Sequence, residues 1–197
     1  MLDLRGRSRI APILDPVAAW LSKARLTPTI VTLAGLAVTI VGAVVIATGS
    51  YTLGAVLAAV GSLLDALDGP LARHQGKASI RGAFIDTVSD RFGEVSIWAG
   101  LAFSLREDET ALMLCLFALA FSLLTPYIRA KAESWGAEGR GGWLGRAERM
   151  LLILVGIFVA GVTGSTTVLF PVLWAFVVLA GLTVGQRIRR TWEQLEK

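Results

Sequence analysis

Four aspartates stand close together in the chain. Asp65 and Asp68 lie in Asp-Ala-Leu-Asp-Gly-Pro-Leu-Ala-Arg, and Asp86 and Asp90 in Gly-Ala-Phe-Ile-Asp-Thr-Val-Ser-Asp. On a helix, Asp65, Asp68 and Ala72 fall at i, i+3 and i+7 and share a face. Gly82, Asp86 and Asp90 form a second stripe at i, i+4 and i+8. Two such helices side by side point four carboxylates into one small volume. Charges gathered beside hydrocarbon repel one another unless cations neutralise them. Oxygen ligands at this density suit a hard divalent ion, Mg²⁺ or a similar one. With such ions, carboxylates can clamp a polyphosphate and stabilise the attacking and leaving oxygens of an in-line displacement. A fourth carboxylate can take the proton from an attacking hydroxyl. Gly69 and Gly82 permit close backbone approach to a ligand, and Arg73 can pair with a phosphate. The residues alone point to phosphoryl chemistry and name no substrate.

The elements that must position these groups are apolar. Of 197 residues, 54% are hydrophobic and 17% charged, with a mean hydropathy of +0.65. A soluble domain carries about 25% charged residues, and several apolar runs here approach the roughly 20 residues that cross a bilayer. A polytopic, all-α integral membrane protein is expected, with no soluble domain. The single cysteine, Cys115, lies in an apolar run, which excludes an intrachain disulfide and a Cys-based metal site. No removable signal peptide is expected in the first 30 residues.

In chain order, residues 1–11 are basic (Arg5, Arg7, Arg9), and 12–24 read as a short amphipathic helix on the membrane surface with Trp20 at headgroup level. Thr27 as N-cap and Pro28 as first helical residue open the first span, which runs to about Gly49. The second span begins near Tyr51 and carries the first Asp pair at its far end. A charged connection (Arg73, His74, Lys77, Arg81) leads to the third span, from Gly82 to Leu105. The fourth starts near Thr110 and continues past Pro126. Residues 136–145 are a glycine-rich loop. The fifth and sixth spans cover roughly 147–163 and 168–186. The division expected is a basic segment with its surface helix over 1–29, a six-helix membrane domain over 30–190, and a charged tail over 191–197.

Charge orients this bundle. With a cytoplasmic N-terminus, the inner segments 1–29, 73–81, 129–149 and 187–197 hold every Lys and Arg except Arg91 and Arg106. That is a strong positive-inside bias, and it puts both termini and the Asp cluster at the cytoplasmic face. The formal net charge of +4 suits an anionic leaflet and anionic substrates rather than nucleic acid. Trp20, Trp135, Trp143 and Trp192 fit interfacial anchoring, and Arg189 and Arg190 fit headgroup contacts.

The pattern Asp65-x2-Asp68-Gly69-x2-Ala72-Arg73-x8-Gly82-x3-Asp86-x3-Asp90 resembles, at every defined position, the signature of the CDP-alcohol phosphotransferase family. The resemblance implies a six-helix bacterial plasma-membrane enzyme, usually a homodimer, with its active site facing the cytoplasm. It implies transfer of a phosphatidyl group from CDP-diacylglycerol to an alcohol with release of CMP, using Mg²⁺ or Mn²⁺, two ions per site. Carried over by position, Asp65, Asp68 and Asp86 are expected as metal ligands, and Asp90 as the general base that also helps hold a metal. Gly69, Ala72, Arg73 and Gly82, with Thr27 and Pro28, are expected in the CDP-lipid site. The Thr27-Pro28 start of the first span also resembles the family, with Thr29 where Asn is expected.

Beyond that signature, Tyr127-Ile-Arg-Ala-Lys-Ala-Glu133, Arg146-Ala-Glu-Arg149 and Gln186-Arg187 resemble the actinobacterial phosphatidylinositol-phosphate synthase branch. There Tyr-Ile-Lys-Ala-Arg-Ala-Glu and Glu-Arg-Pro-Glu-Arg are expected. Here Arg129 and Lys131 are exchanged in type, and Gly145 and Ala147 replace a Glu and a Pro. The branch implies a cationic pocket of Lys131, Arg149 and Arg187, with Arg129 and Arg146 beside it, for an acceptor bearing its own phosphate, such as inositol 1-phosphate. Glycerol 3-phosphate carries a phosphate too, so phosphatidylglycerophosphate synthesis is the alternative within the class. Outside it, four acids in a six-helix protein could line a divalent-cation path. Against that, all four sit at one end of their spans, with no ionisable residue farther along to complete a path.

Overall fold

The computed structural model describes residues 16–24, 26–139, 141–142 and 145–196. Every regular element among them is helical: α1 over 16–23, α2 Pro28–Ala47, α3 Tyr51–Asp65, α4 Asp68–His74, α5 Ile80–Ser104, α6 Glu109–Ser134, α7 Arg146–Thr163 and α8 Leu169–Leu195. A 3₁₀ turn, Thr166–Val168, leads into α8. Of the surface helix expected over 12–24, residues 12–15 lie outside the described residues.

The helix starts follow from local chemistry. Thr27 accepts a hydrogen bond from the Ile30 amide ahead of Pro28. Ser79 accepts one from Gly82 N, and Asp108 one from Ala111 N. Each side chain satisfies an amide that the first turn leaves unpaired. At the other end, Gly164 closes α7 at φ 65°, a left-handed conformation that glycine adopts freely.

Two elements depart from the sequence reading. The second span does not carry Asp65, Asp68 and Ala72 on one unbroken helix, because α3 stops at Asp65 and α4 begins at Asp68. Pro70 has no N–H to return to Ala66, so the ladder breaks just where the chain must turn. The last helix runs through Arg187 to Arg190 and on to Leu195, with Arg189 and Glu193 paired across one turn at 2.8 Å.

Four stretches, Pro28–Ala47, Tyr51–His74, Glu109–Ser134 and Thr166–Leu195, are long and apolar enough to cross a membrane. The charges of α5 and α7 lie in their N-terminal parts (Arg81, Asp86, Asp90, Arg91, Glu94; Arg146, Glu148, Arg149), while 95–104 and 150–163 carry none. α2 packs on α3 and α5, α3 on α7, α5 on α6, and α8 on α6 and α7. The main core joins Ile46, Leu101, Ile153, Ile157 and Leu173, with Trp98 edge-on to Phe176 at 4.7 Å.

The α2–α3 contact sets the position of the first aspartate. A Cβ on Gly35 would lie 2.7 Å from Gly61 O and 3.0 Å from Asp65 N. Only a residue without a side chain lets the two backbones meet there, as small residues do between membrane helices. Toward the N-terminal end of α2, Ala18 and Leu21 of α1 pack with Val31, Leu67 and Leu71, and Gln75 Nε2 donates to Leu26 O at 2.7 Å. α4 is thereby fastened to the N-terminal end of α2.

Candidate metal centre

Asp65 ends α3, Asp68 begins α4, and Asp86 faces them from α5. One carboxylate oxygen from each lies within 4.8 Å of the other two, and all three residues are half-buried. Ligand oxygens around one Mg²⁺ at about 2.1 Å are about 3–4 Å apart, a separation that small side-chain rotations reach from here. The donor set is all carboxylate, which suits Mg²⁺ or Mn²⁺ over a soft metal. These residues fit a divalent ion, and the break at Ala66–Leu67 is what lets Asp68 turn toward Asp65.

Asp90, one turn beyond Asp86 on α5, stands beside this group. Its Oδ1 is paired with Arg146 Nη2, and Arg91 Nη2 lies 3.7 Å from its Oδ2. Arg146 also reaches Asp65, at 3.9 Å. The guanidinium from α7 thus bridges α3 and α5 and supplies part of the positive charge that clustered acids need. Asp65, Asp90, Arg146 and Glu94 line one narrow pocket with Gly35, Thr39 and Ser89.

Three site residues escaped the sequence reading in whole or part. Thr32 is 2% exposed, and its hydroxyl donates to Asp68 Oδ2, fixing that carboxylate from α2. Nothing periodic links positions 36 apart, though Thr32 lies one turn past the Thr27-Pro28 start. A Thr32→Val variant keeps the shape and removes the donor. It is expected to weaken Mn²⁺ binding about tenfold, the usual scale for losing a partner behind a metal ligand, measured by Mn²⁺ electron paramagnetic resonance. Unchanged affinity would make the hydroxyl irrelevant to the centre. Glu94 does carry a readable signal, since it continues the Gly82, Asp86, Asp90 stripe by one turn. Arg146 was expected with an acceptor phosphate, yet it lies on the aspartates themselves.

Around the expected CDP-lipid site, a Cβ on Gly69 would meet only Arg73 Nη1, at 3.6 Å, so protein packing makes no demand for glycine there. Arg73 is exposed at the end of α4, Ala72 is half-buried beside it, and Gly82 N is used by Ser79. Thr27 and Pro28 lie at the end of α2 that α4 packs against.

The five expected acceptor cations are each held differently. Arg129 pairs with Glu133 at 2.8 Å, and Lys131 Nζ stands 4.4 Å over the Trp135 ring. Arg187 donates to Gly141 O at 2.9 Å and Thr125 O at 2.8 Å. Arg146 is on the aspartates. Arg149, expected in the same cationic pocket, is 2% exposed and lies 3.5 Å from the 1% exposed Glu94. A buried carboxylate needs a cation, and Arg149 serves that need.

A model of the CDP-alcohol phosphatidyltransferase family matches residues 25–182. The phosphatidylinositol phosphate synthase of Mycolicibacterium smegmatis is 36% identical, over 94% of this chain and 86% of that protein. That of Cutibacterium acnes is 34% identical, over 95% and 97%. Among solved structures, Mycobacterium tuberculosis phosphatidylinositol phosphate synthase with CDP-DAG bound superposes with a TM-score of 0.85 at 30% identity, over 92% of this chain and 94% of that one. The same enzyme in complex with manganese and citrate gives 0.85 at 30%, over 91% and 88%.

Proposed function

As the chain belongs to the CDP-alcohol phosphatidyltransferase family, we propose that it makes phosphatidylinositol phosphate. It transfers the phosphatidyl group of CDP-diacylglycerol to inositol 1-phosphate and releases CMP. The carrying observation is the meeting of Asp65, Asp68 and Asp86 within 4.8 Å, with Asp90 a turn away. The relatives named phosphatidylinositol phosphate synthase support the acceptor.

Asp65, Asp68 and Asp86, with help from Asp90, hold the divalent ions, Mg²⁺ or Mn²⁺, two per site. Bound there, the ions neutralise the pyrophosphate and the charge that builds on its oxygens in the transition state. Gly69, Ala72, Arg73 and Gly82, with Thr27 and Pro28, line the CDP side. Glycine at 69 leaves room for a ligand, and Arg73 has an exposed guanidinium to offer its phosphates. Asp90 takes the proton of the acceptor hydroxyl. That oxygen bonds to the phosphorus bearing the diacylglycerol, and the bond from this phosphorus to the oxygen of CMP breaks.

Lys131, Arg129 and Arg187 face the acceptor's phosphate, with Arg146 at the inner edge. Arg149 adds its charge from below, since its guanidinium lies against Glu94. Lys131 is exposed and the Arg129 side chain 41% exposed, which leaves both able to exchange weak surface partners for a phosphate.

The bundle spans the plasma membrane of a bacterium six times, with α5 and α7 as the two charged spans, and works as a homodimer. Large apolar side chains such as Val41, Val44, Leu151, Val155 and Val162 face outward, as lipid contact requires. The positive-inside bias supports cytoplasmic termini, a cytoplasmic active site and α1 on the inner surface.

The test is CMP release by the purified protein in nanodiscs with CDP-diacylglycerol and Mg²⁺. Inositol 1-phosphate, glycerol 3-phosphate, inositol and serine are offered one at a time. Release with inositol 1-phosphate alone is expected. Release with glycerol 3-phosphate alone would keep the mechanism and replace the acceptor. Metal flux into liposomes without CMP release would move the protein to transport.

A further inference from the structure

Beneath the aspartates, α5 and α7 bury a second set of charges, of which the proposed transfer uses only that of Arg149. Glu94 is 1% exposed and Arg149 2%, and both rank among the largest fully buried side chains of the described residues. A carboxylate held this deep is costly unless cations or hydrogen-bond donors meet it. Here Arg149 Nη2 lies 3.5 Å from Oε1, and Arg91 Nη1 lies 3.0 Å from Oε2.

Arg91 has two carboxylates to choose between. It is one residue past Asp90 and three before Glu94, and its guanidinium is nearer to Glu94, at 3.0 Å, than to Asp90, at 3.7 Å. Asp90 already holds Arg146 on its other oxygen. The path Asp65, Arg146, Asp90, Arg91, Glu94, Arg149 therefore alternates in sign at every step, and Glu94 is the only acid in it that lies beyond the metal group. Asp90 and Glu94 also line the same pocket, so charge lost at one is felt at the other.

We propose that Glu94 is a positioning residue for the metal centre: it draws Arg91 down and away from Asp90, leaving Oδ2 of Asp90 open to metal and acceptor. Arg149, fixed to the other oxygen, holds Glu94 in place from α7. With an uncharged residue at 94, Asp90 is the carboxylate left within reach of Arg91. A second guanidinium then covers Asp90, and an incoming ion has to displace it. Removing Arg91 as well removes the competitor. The inference rests on the reading of Asp90 given above.

The experiment compares the full-length protein, Glu94→Gln, and Glu94→Gln combined with Arg91→Met, all in nanodiscs. Mn²⁺ binding without substrates is followed by electron paramagnetic resonance, and kcat by CMP release. Glu94→Gln keeps an oxygen for Arg149. It is expected to bind Mn²⁺ about tenfold more weakly, the scale of a lost partner behind a metal site, and to lose kcat in parallel. The double variant is expected to recover both to within about threefold. A single variant that binds and turns over like the parent overturns the inference. So does a double variant no better than the single one, because Glu94 then serves the fold alone. If Glu94→Gln does not fold, Glu94→Asp takes its place: it keeps a charge for Arg149 but is a methylene too short to hold Arg91 as well, and the same recovery is required. Absence of Mn²⁺ binding by the unaltered protein strikes the metal-centre reading itself, and the inference falls with it.

Discussion

Asp90→Asn is expected to lower CMP release by about 10²–10⁴-fold, the range that a positioned general base contributes, while CDP-lipid binding at saturating Mn²⁺ stays within a few-fold of the parent. The structure supplies the reason that the variant should fold. Losing the Asp90 charge orphans neither of its cations, since Arg146 keeps Asp65 at 3.9 Å and Arg91 keeps Glu94 at 3.0 Å. Asparagine fills the same volume and still offers an oxygen to Arg146. What it lacks is a site for the proton of the attacking hydroxyl. The comparison needs two assays on one preparation: CMP release with both substrates, and retention of CDP-diacylglycerol with Mn²⁺ and no acceptor. Turnover near the parent's would remove Asp90 as the base. Loss of lipid binding along with turnover would make it chiefly a ligand, and the proton would need another destination.

The sequence carried the parts of this site that lie along one helix and hid those that lie between helices. The i, i+4, i+8 stripe of Gly82, Asp86 and Asp90 needs only helical periodicity, and it holds on α5. The same stripe reaches Glu94, which went unread because a single acid beyond the fourth aspartate adds no motif. The Asp65–Asp68 pair looked like one helical face. It is instead a corner, because Pro70 cannot supply the bond that would have continued α3. Apolar run length located the four stretches long and apolar enough to cross a membrane, and Thr27, Ser79 and Asp108 stand as caps where their types suit the role. No such rule links Thr32 to Asp68, or Arg146 to Asp90. These are contacts between elements, fixed by how closely α2, α3, α5 and α7 approach, and that approach depends on backbone meetings such as Gly35 with Gly61.

The basic residues illustrate the same limit from another side. Their clustering in four segments of the chain is a matter of counting, and it supports the proposed orientation. Their partners are a matter of packing. Arg149 and Arg146 are three positions apart on α7, yet one ends against buried Glu94 and the other on the aspartates. A list of cations near the metal motif does not show which of them the protein's own acids hold. Burial does show it, because a guanidinium taken out of water is held by the carboxylate that shares its surroundings.

Asp86→Asn should fail in a way that Asp90→Asn does not. Asp86 is the only one of the three grouped carboxylates that comes from α5, so removing its charge leaves Asp65 and Asp68 to hold an ion from one side. Two ligands from one corner of the chain close little of a coordination shell that wants six oxygens. Mn²⁺ affinity is expected to fall by about 100-fold or more, beyond the 10–100-fold seen for residues that merely support a ligand. CDP-lipid retention should fall with it, because the pyrophosphate is then opposed by uncompensated carboxylates. Turnover should be lost at any practical Mg²⁺ concentration, and part of it should return at high Mn²⁺, since the remaining oxygens keep their places. Chelation of the unaltered protein should reproduce the loss of lipid retention. The pair of variants then divides the site by function: one loses the ion and everything that depends on it, the other still binds it at saturating concentration and loses the proton transfer. Should Asp86→Asn bind Mn²⁺ and release CMP as the parent does, the meeting of three carboxylates within 4.8 Å would be a packing of charges at a helix end, and the phosphoryl-transfer reading would lose the observation that carries it.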